Sequence, residues 1–398
     1  MLKVLTKDEA VKCIREKTGA MRPETEYVNL NSARGRVLSG DILSNEDVPS
    51  FSRTVVDGFA VIAKDTFGAS DSIPAQLETV GEVLMGEDTD LVIERGRCAK
   101  ISTGGMLPKG ADAAVMVEHT ESENGLCLVY KAVSPNENIT KKGDDIKEGE
   151  IALKSGRRID TAETAVLASL GVYEVPVYKK PVIAVISTGD ELENDDVTAG
   201  KIRDVNSFML SCAAMQYGCE VITYGAVKDD RKLIKSAVSQ CLEKADCVII
   251  SGGSSAGTRD MTVSILEETG EVYFHGLAMK PGKPTIFGMA GGKPVFGLPG
   301  HPLAAYFVFR LVVTEFIKSL TGTEDREIVT VARLSENVPS NNGREEYLCV
   351  KINENNEAVP LHTKSGIISV LSKADGFIKI ERNTEGLFKG GFVEVYRL

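Results

Sequence analysis

The stretch Cys247 to Asp260, CVIISGGSSAGTRD, carries the most concentrated chemistry in the chain. An apolar run, Val248 to Ile250, breaks at Ser251-Gly252-Gly253 and continues through Ser254, Ser255 and Ala256 to Gly257. It then delivers Arg259 and Asp260 just before a helical pattern. That order predicts a strand, a pliant loop and a helix start. Glycines carry no Cβ, so backbone N–H groups can approach an anion closely, and a helix N-terminus adds unpaired donors and a positive dipole end. A phosphate-bearing ligand is one reading of such a loop, and a plain strand-to-helix turn is the other.

Other strand ends are loaded in the same way. One strand is followed by Ser187-Thr188-Gly189-Asp190-Glu191, the next by Asp229-Asp230, and later come Lys280-Pro281-Gly282-Lys283 and Gly297-Leu298-Pro299-Gly300-His301-Pro302. In an open parallel sheet, ligands bind beyond the carboxyl ends of the strands, so these loops are expected to meet. The expectation is one crevice holding the carboxylates of Asp190, Glu191, Asp229, Asp230 and Asp260 with the amines of Lys280 and Lys283. Bare carboxylates repel phosphate, and a hard divalent cation removes the conflict by bridging acid side chains to phosphate oxygens. Mg²⁺ is the expected cofactor. A Walker A loop is absent and Gly252-Gly253 with Gly257 does not fit G-x-G-x-x-G, so neither a P-loop NTPase nor a Rossmann dehydrogenase is supported. Gly253-Ser254-Ser255-Ala256-Gly257 does satisfy G-x-S-x-G, which keeps a serine hydrolase with Ser255 as nucleophile and His275 or His301 as base in play as a rival.

The elements that must position these residues follow from periodicity. From Pro181 the chain alternates: strand Val182 to Ile186, helix Ser207 to Tyr217, strand Glu220 to Tyr224, helix Arg231 to Lys244, strand Val248 to Ile250. This is the rhythm of a doubly wound α/β domain. Leu233, Ile234, Ala237, Val238, Cys241 and Leu242 form the apolar stripe of a helix lying on a sheet. Pro302 suits the first position of an apolar helix running to about Leu320, and Gly322 marks a boundary. Upstream, Thr6 with Glu9 and Asp160 with Glu163 form capping boxes for helices Thr6 to Ala20 and Thr161 to Leu170. A short helix is expected around Ser32 to Leu38. Between these lie β-type runs, Leu91 to Ile93, Ala113 to Val117 and Leu126 to Val129, and strand texture returns after Arg326. The expected fold class is multidomain α/β. An interrupted helical domain (1–47 and 150–179) surrounds a β insert (48–149), followed by the doubly wound domain (180–324) and a small C-terminal β barrel (325–398).

Composition bounds the function. At 398 residues the chain exceeds one core. A net charge of -11 argues against bulk nucleic-acid binding, which rewards a basic face. No apolar run approaches a membrane span, and the start MLKVLTKDEA lacks a signal-peptide core, so a cytoplasmic protein is expected. The eight cysteines show no C-x-x-C or zinc-type spacing and read as reduced thiols.

Taken together, VDGFAV (Val56 to Val61), ISTGGMLPKGADAAVMVE (Ile101 to Glu118), GDDI (Gly143 to Ile146), STGDEL (Ser187 to Leu192), DVNS (Asp204 to Ser207), SGGSSAGTRD, MKPGKP (Met279 to Pro284) and GLPGHP resemble the molybdopterin molybdenumtransferases, the MoeA family, related to the gephyrin E domain. The resemblance covers essentially the whole chain. It implies a four-part elongated subunit, usually a homodimer, and Mg²⁺-assisted insertion of molybdate or tungstate into adenylylated molybdopterin with release of AMP. Carried over by motif, Glu191, Asp229 or Asp230, and Asp260 are metal and pterin-phosphate residues. Ser187, Thr188, Gly189, Asp190, Gly252, Gly253, Ser254, Lys280, Lys283, Pro299, His301, Pro302 and Ser365 are substrate contacts. Asp57, Thr103 and Asp145 match catalytic positions of a lobe that the family takes from the dimer partner. The chain departs from the family at Ser52-Arg53-Thr54 before VDGFA, at His275 where some members have lysine, and at His301 where asparagine is common. A pterin-binding scaffold without turnover is the alternative within the same fold.

Overall fold

A computed structural model describes residues 4–193, 197–252, 256–323, 327–362 and 366–398, with the backbone alone for 256–260. The central sheet runs Glu220–Val227, Val182–Thr188, Cys247–Gly252, Lys293–Leu298, Ile286–Ala290, Gly270–His275. The first four strands are parallel and the last two antiparallel. Alternation along the strands divides the core into two faces. Ile183, Val185, Cys247, Ile249 and Phe296 pack with Leu210 and Ala214 of the helix Val205–Gln216 and with the helices that follow Pro302. Ala184, Ile186, Val248 and Ile250 pack with Ile234, Ala237, Val238 and Cys241 of the helix Arg231–Lys244, and with Ile265 and Leu266 of Ala256–Thr269. Apolar residues on both faces of each strand are what a parallel sheet covered twice requires. The helix after Pro302 runs as Pro302–Val308, a π-helical turn Phe309–Val313 and Thr314–Thr321, closed by Gly322 in the left-handed region at φ 67°.

The first capping box forms as expected, Thr6 and Glu9 bonding reciprocally at the start of helix Lys7–Thr18. This helix buries Ala10 and Ile14 in the core of the central α/β sheet. The second forms at Asp160 and Glu163, heading helix Thr161–Ser169. The segments flanking the insert meet, since Thr25–Asn29 pairs antiparallel with Glu174–Tyr178 and Ile42–Leu43 with Ile151–Leu153. The helix expected around Ser32 to Leu38 is absent. A single 3-10 turn, Leu30–Ser32, gives way at Gly35 (φ 77°) to extended backbone bridged to Arg158 and Val177.

The insert is a curled six-stranded sheet, ordered Ala113–Met116, Gly58–Val61, Arg97–Ile101, Ala75–Val83, Leu126–Val129, Thr120–Glu123, around Phe59, Val61, Leu77 and Val115. Leu91 to Ile93 forms only an isolated bridge, Val92 to Lys109, instead of a strand. At the C-terminus Glu345–Ile352, Glu357–Pro360, Val329–Leu334, Phe392–Arg397 and Gly376–Ile380 pair in sequence. The last closes back on the first, a five-stranded barrel. Met279–Lys280, from the α/β half, adds to this barrel as a parallel neighbour of Glu345–Glu346.

Candidate active site

Register brings the loaded strand ends to one edge. Ser187 stands opposite Ser251, Thr188 opposite Gly252, and Ser251 opposite Leu298. Beyond them lies a cleft of about 420 Å³ lined by Thr188, Glu191, Arg203, Asp204, Asn206, Gly252, His301 and Pro302 among others, a size that suits a small ligand. Gly252 is a steric necessity against backbone, whereas at Gly189 the neighbour is a movable carboxylate and the positive φ sets the preference for glycine. A Cβ on Gly252 (φ 148°) would lie 2.2 Å from the Thr188 carbonyl oxygen, and one on Gly189 (φ 159°) would lie 2.7 Å from both carboxylate oxygens of Glu191.

Below this edge runs a buried polar network. Asp204 caps the helix Val205–Gln216 by accepting from the Ser207 N–H at 3.0 Å, and its same oxygen accepts from Ser187 Oγ at 2.7 Å. Asn206 donates to Ser251 Oγ at 2.9 Å and to the Gly300 carbonyl at 2.8 Å, tying the end of a central strand to the Pro299-Gly300 loop. Thr188 Oγ1, Asp204 Oδ2 and Asn206 Oδ1 are buried and have no hydrogen-bond partner. Buried oxygens left unpaired at a cleft are the exceptions that call for a donor or a cation. Asp204 and Asn206 stand in DVNS, but no role was assigned to them from sequence; the signal was Asp204 three residues before Ser207, a helix-cap spacing.

A second cleft, about 850 Å³, adjoins the first and shares His301 and Gly366 with it. Lys280, Lys283 and Pro299 line it together with Arg344, Glu346, Tyr347 and His362 of the C-terminal part. The single crevice expected from sequence is therefore two joined clefts, with Glu191 in one and both lysines in the other. Arg344 and Glu346 were missed because nothing local in GREEYL announces that the barrel packs there.

The remaining expected residues fall as follows. Asp230 N-caps helix Arg231–Lys244, accepting from the N–H groups of Lys232 (2.8 Å) and Leu233 (3.0 Å), so its carboxylate is engaged by the backbone. Asp190 accepts from the Asp229 N–H at 3.2 Å. Neither Asp229 nor Asp230 lines either cleft. His301 stands at the N-cap of the helix that Pro302 begins. In the insert, Asp57 accepts from the Thr103 N–H at 2.7 Å, and this bond, with one from the Thr103 hydroxyl, holds the Asp57 carboxyl below the usual carboxylate range. Asp145 is exposed in a turn whose N–H donates to Val48. None of Asp57, Thr103 and Asp145 lines the two clefts of the same chain. Gly253, Ser254, Ser255, Ser365 and the Asp260 side chain lie outside the described residues, and with Ser255 the hydrolase alternative.

Among the described residues, no three of His, Cys, Asp and Glu gather as a metal cluster. The first cleft nonetheless offers oxygen donors, the Glu191 carboxylate with the unpaired oxygens of Thr188, Asp204 and Asn206, which is the ligand type Mg²⁺ takes.

Residues 184–319 match the probable molybdopterin binding domain, so the chain is a multidomain protein built around a domain of that class. Residues 5–171 match the MoeA N-terminal region (domain I and II) and residues 331–398 the MoeA C-terminal region (domain IV). A putative molybdopterin biosynthesis protein of Methanocaldococcus jannaschii is 38% identical over 385 residues, 94% of this chain and 92% of that protein. The molybdopterin molybdenumtransferase of Bacillus subtilis is 34% identical over 98% of this chain and 93% of its own. The crystal structure of a molybdopterin biosynthesis MoeA protein from Pyrococcus horikoshii OT3 superposes with a TM-score of 0.87 at 32% identity, covering 100% of both chains. The chain belongs to the MoeA family, as its motifs lead one to expect.

Proposed function

We infer that the chain is a molybdopterin molybdenumtransferase acting on adenylylated molybdopterin with molybdate or tungstate as the second substrate. The observation that carries this reading is the pair of joined clefts. One is built from the carboxyl ends of parallel strands and holds Glu191; the other is lined by Lys280, Lys283 and Arg344; and His301 borders both. A ligand with an anionic linkage and a separate oxyanion suits that division. The names borne by the relatives from Bacillus subtilis and Staphylococcus aureus support it further.

In this reading the Gly189 and Gly252 turns let the ligand's phosphates approach the backbone, and the Asn206 clamp fixes the Pro299-Gly300 loop against Ser251. Lys283 and Arg344 hold the oxyanion as it meets the dithiolene. Water attacks the adenylyl phosphorus as the phosphoanhydride P–O bond breaks, so AMP leaves carrying the new oxygen, the pterin keeps its own phosphate, and the lysines offset the charge that develops. Mg²⁺ would be held by Glu191 with Asp260 and would neutralise the pyrophosphate-like linkage. Asp57, Thr103 and Asp145 complete the site from a second copy of the chain in a homodimer. The test is a pair of variants. Glu191→Gln and Lys283→Met should each lower AMP formation at least a hundredfold with unfolding temperatures unchanged. Full turnover in both would refute the assignment.

A further inference from the structure

We propose that Glu346 is an internal counter-ion of the lysine-lined cleft, a carboxylate that an arriving oxyanion must displace from Lys280 and that keeps the affinity for free oxyanions low. The inference takes from the proposed function only the anionic nature of the ligand. Lys280 Nζ lies 2.7 Å from Glu346 Oε1, and the other carboxylate oxygen accepts from Ser340 Oγ at 3.0 Å. The Lys280 side chain is 50% exposed and that of Glu346 14%, so the amine stands at the opening and the acid is held behind it. The pairing is built into the backbone: Met279–Lys280 runs beside Glu345–Glu346 in parallel register, and the Glu345 N–H donates to the Ala278 carbonyl at 3.0 Å.

Glu346 is also the one carboxylate among the described residues lining this cleft, which otherwise presents Lys280, Lys283 and Arg344. Its neighbour Glu345 is turned to other work, accepting from the Tyr347 hydroxyl at 2.6 Å and pairing with Lys379 at 3.1 Å. An uncompensated lysine-arginine cleft would be filled by whatever inorganic phosphate or sulfate is abundant. A carboxylate already seated on Lys280 raises the threshold, because a like charge within about 4–6 Å disfavours a second anion by a decade or more. A ligand with further contacts in the adjoining cleft overcomes that threshold; a free oxyanion does so poorly. When displaced, Glu346 keeps its Ser340 bond and does not become an orphaned acid.

The test is titration calorimetry of the purified full chain with tungstate, and separately with inorganic phosphate. Glu346→Gln, which retains the Ser340 bond and the shape of the side chain, should bind tungstate about tenfold more tightly than the parent. Ser340→Ala, which loosens the carboxylate without removing it, should tighten binding several-fold. In the double variant Lys280→Met/Glu346→Gln the gain should vanish, a coupling that a purely structural role would not produce. Unchanged or weaker tungstate binding in Glu346→Gln at an unchanged unfolding temperature, or a gain that persists in the double variant, would overturn the proposal. Tightened binding in a protein that releases no AMP would leave the counter-ion standing and remove the transferase reading instead.

Discussion

Asn206 and Gly300 are joined by a 2.8 Å hydrogen bond from the side-chain amide to the backbone carbonyl, and the same amide reaches Ser251 Oγ at 2.9 Å. One buried residue at a helix start thus sets the distance between the end of a central strand and the loop that carries His301. Replacing it by leucine leaves the Gly300 carbonyl unsatisfied, which costs about 1–3 kcal/mol. Asn206→Leu should therefore lower the unfolding temperature and raise the KM for pterin substrate together. An unchanged KM would show that the clamp does not position the loop.

Gly252 faces the Thr188 carbonyl so closely that no side chain fits. Gly252→Ala forces one of two central strands to shift, at a cost of about 1–3 kcal/mol. The strain falls on the cleft itself, so turnover should drop more than stability. Denaturant unfolding beside a rate measurement separates the two, and a variant with normal turnover would contradict the tight edge.

Asp230 is a helix cap before it is anything else. Asp230→Ala should destabilise the protein by about 1 kcal/mol, and Asp230→Asn, also a good cap, should be close to neutral. Both should retain AMP release. Loss of release in Asp230→Asn at unchanged stability would assign its carboxylate to the reaction.

Glu315, on the helix Thr314–Thr321, pairs with Arg15 of the first helix and with Lys318 three residues along its own. Burial pushes its carboxyl up, but Lys318 and Arg15 outweigh burial and hold it below the ordinary carboxylate range. A group whose pKa is depressed on folding adds stability above its unfolded value, and loses it as pH falls through the folded one. The parent should thus lose stability on acidification through and below the carboxylate range, and Glu315→Gln should show a shallower acid limb. Unfolding temperatures measured from neutral to acid pH check this, and parallel curves would contradict it.

Much of this architecture was legible because it is locally encoded. The Thr6-Glu9 and Asp160-Glu163 boxes and the stripe of Arg231–Lys244 each follow from contacts three or four residues apart. The doubly wound sheet followed from alternation of apolar strands and amphipathic helices. Ser32 to Leu38 misled because its apolar residues are buried by strand pairing with Arg158 and Val177, distant in sequence, with Gly35 turning the chain between. Asp229-Asp230 illustrates a different limit: an acid after a strand can be a ligand or the cap of the next helix, and only the N–H groups of Lys232 and Leu233 decide for Asp230. The Lys280–Glu346 pair was invisible for a third reason, since a strand from one domain joins a barrel made of another. Long-range register leaves no periodic trace.

The measurement that bears most directly on the central claim is AMP formation by the purified chain with adenylylated molybdopterin and molybdate or tungstate, with and without Mg²⁺. Stoichiometric AMP and metal-loaded pterin, abolished by chelation and by Glu191→Gln, is the predicted result. Tight pterin binding with no AMP under any of these conditions would contradict it, and leave the joined clefts as the binding surface of a scaffold.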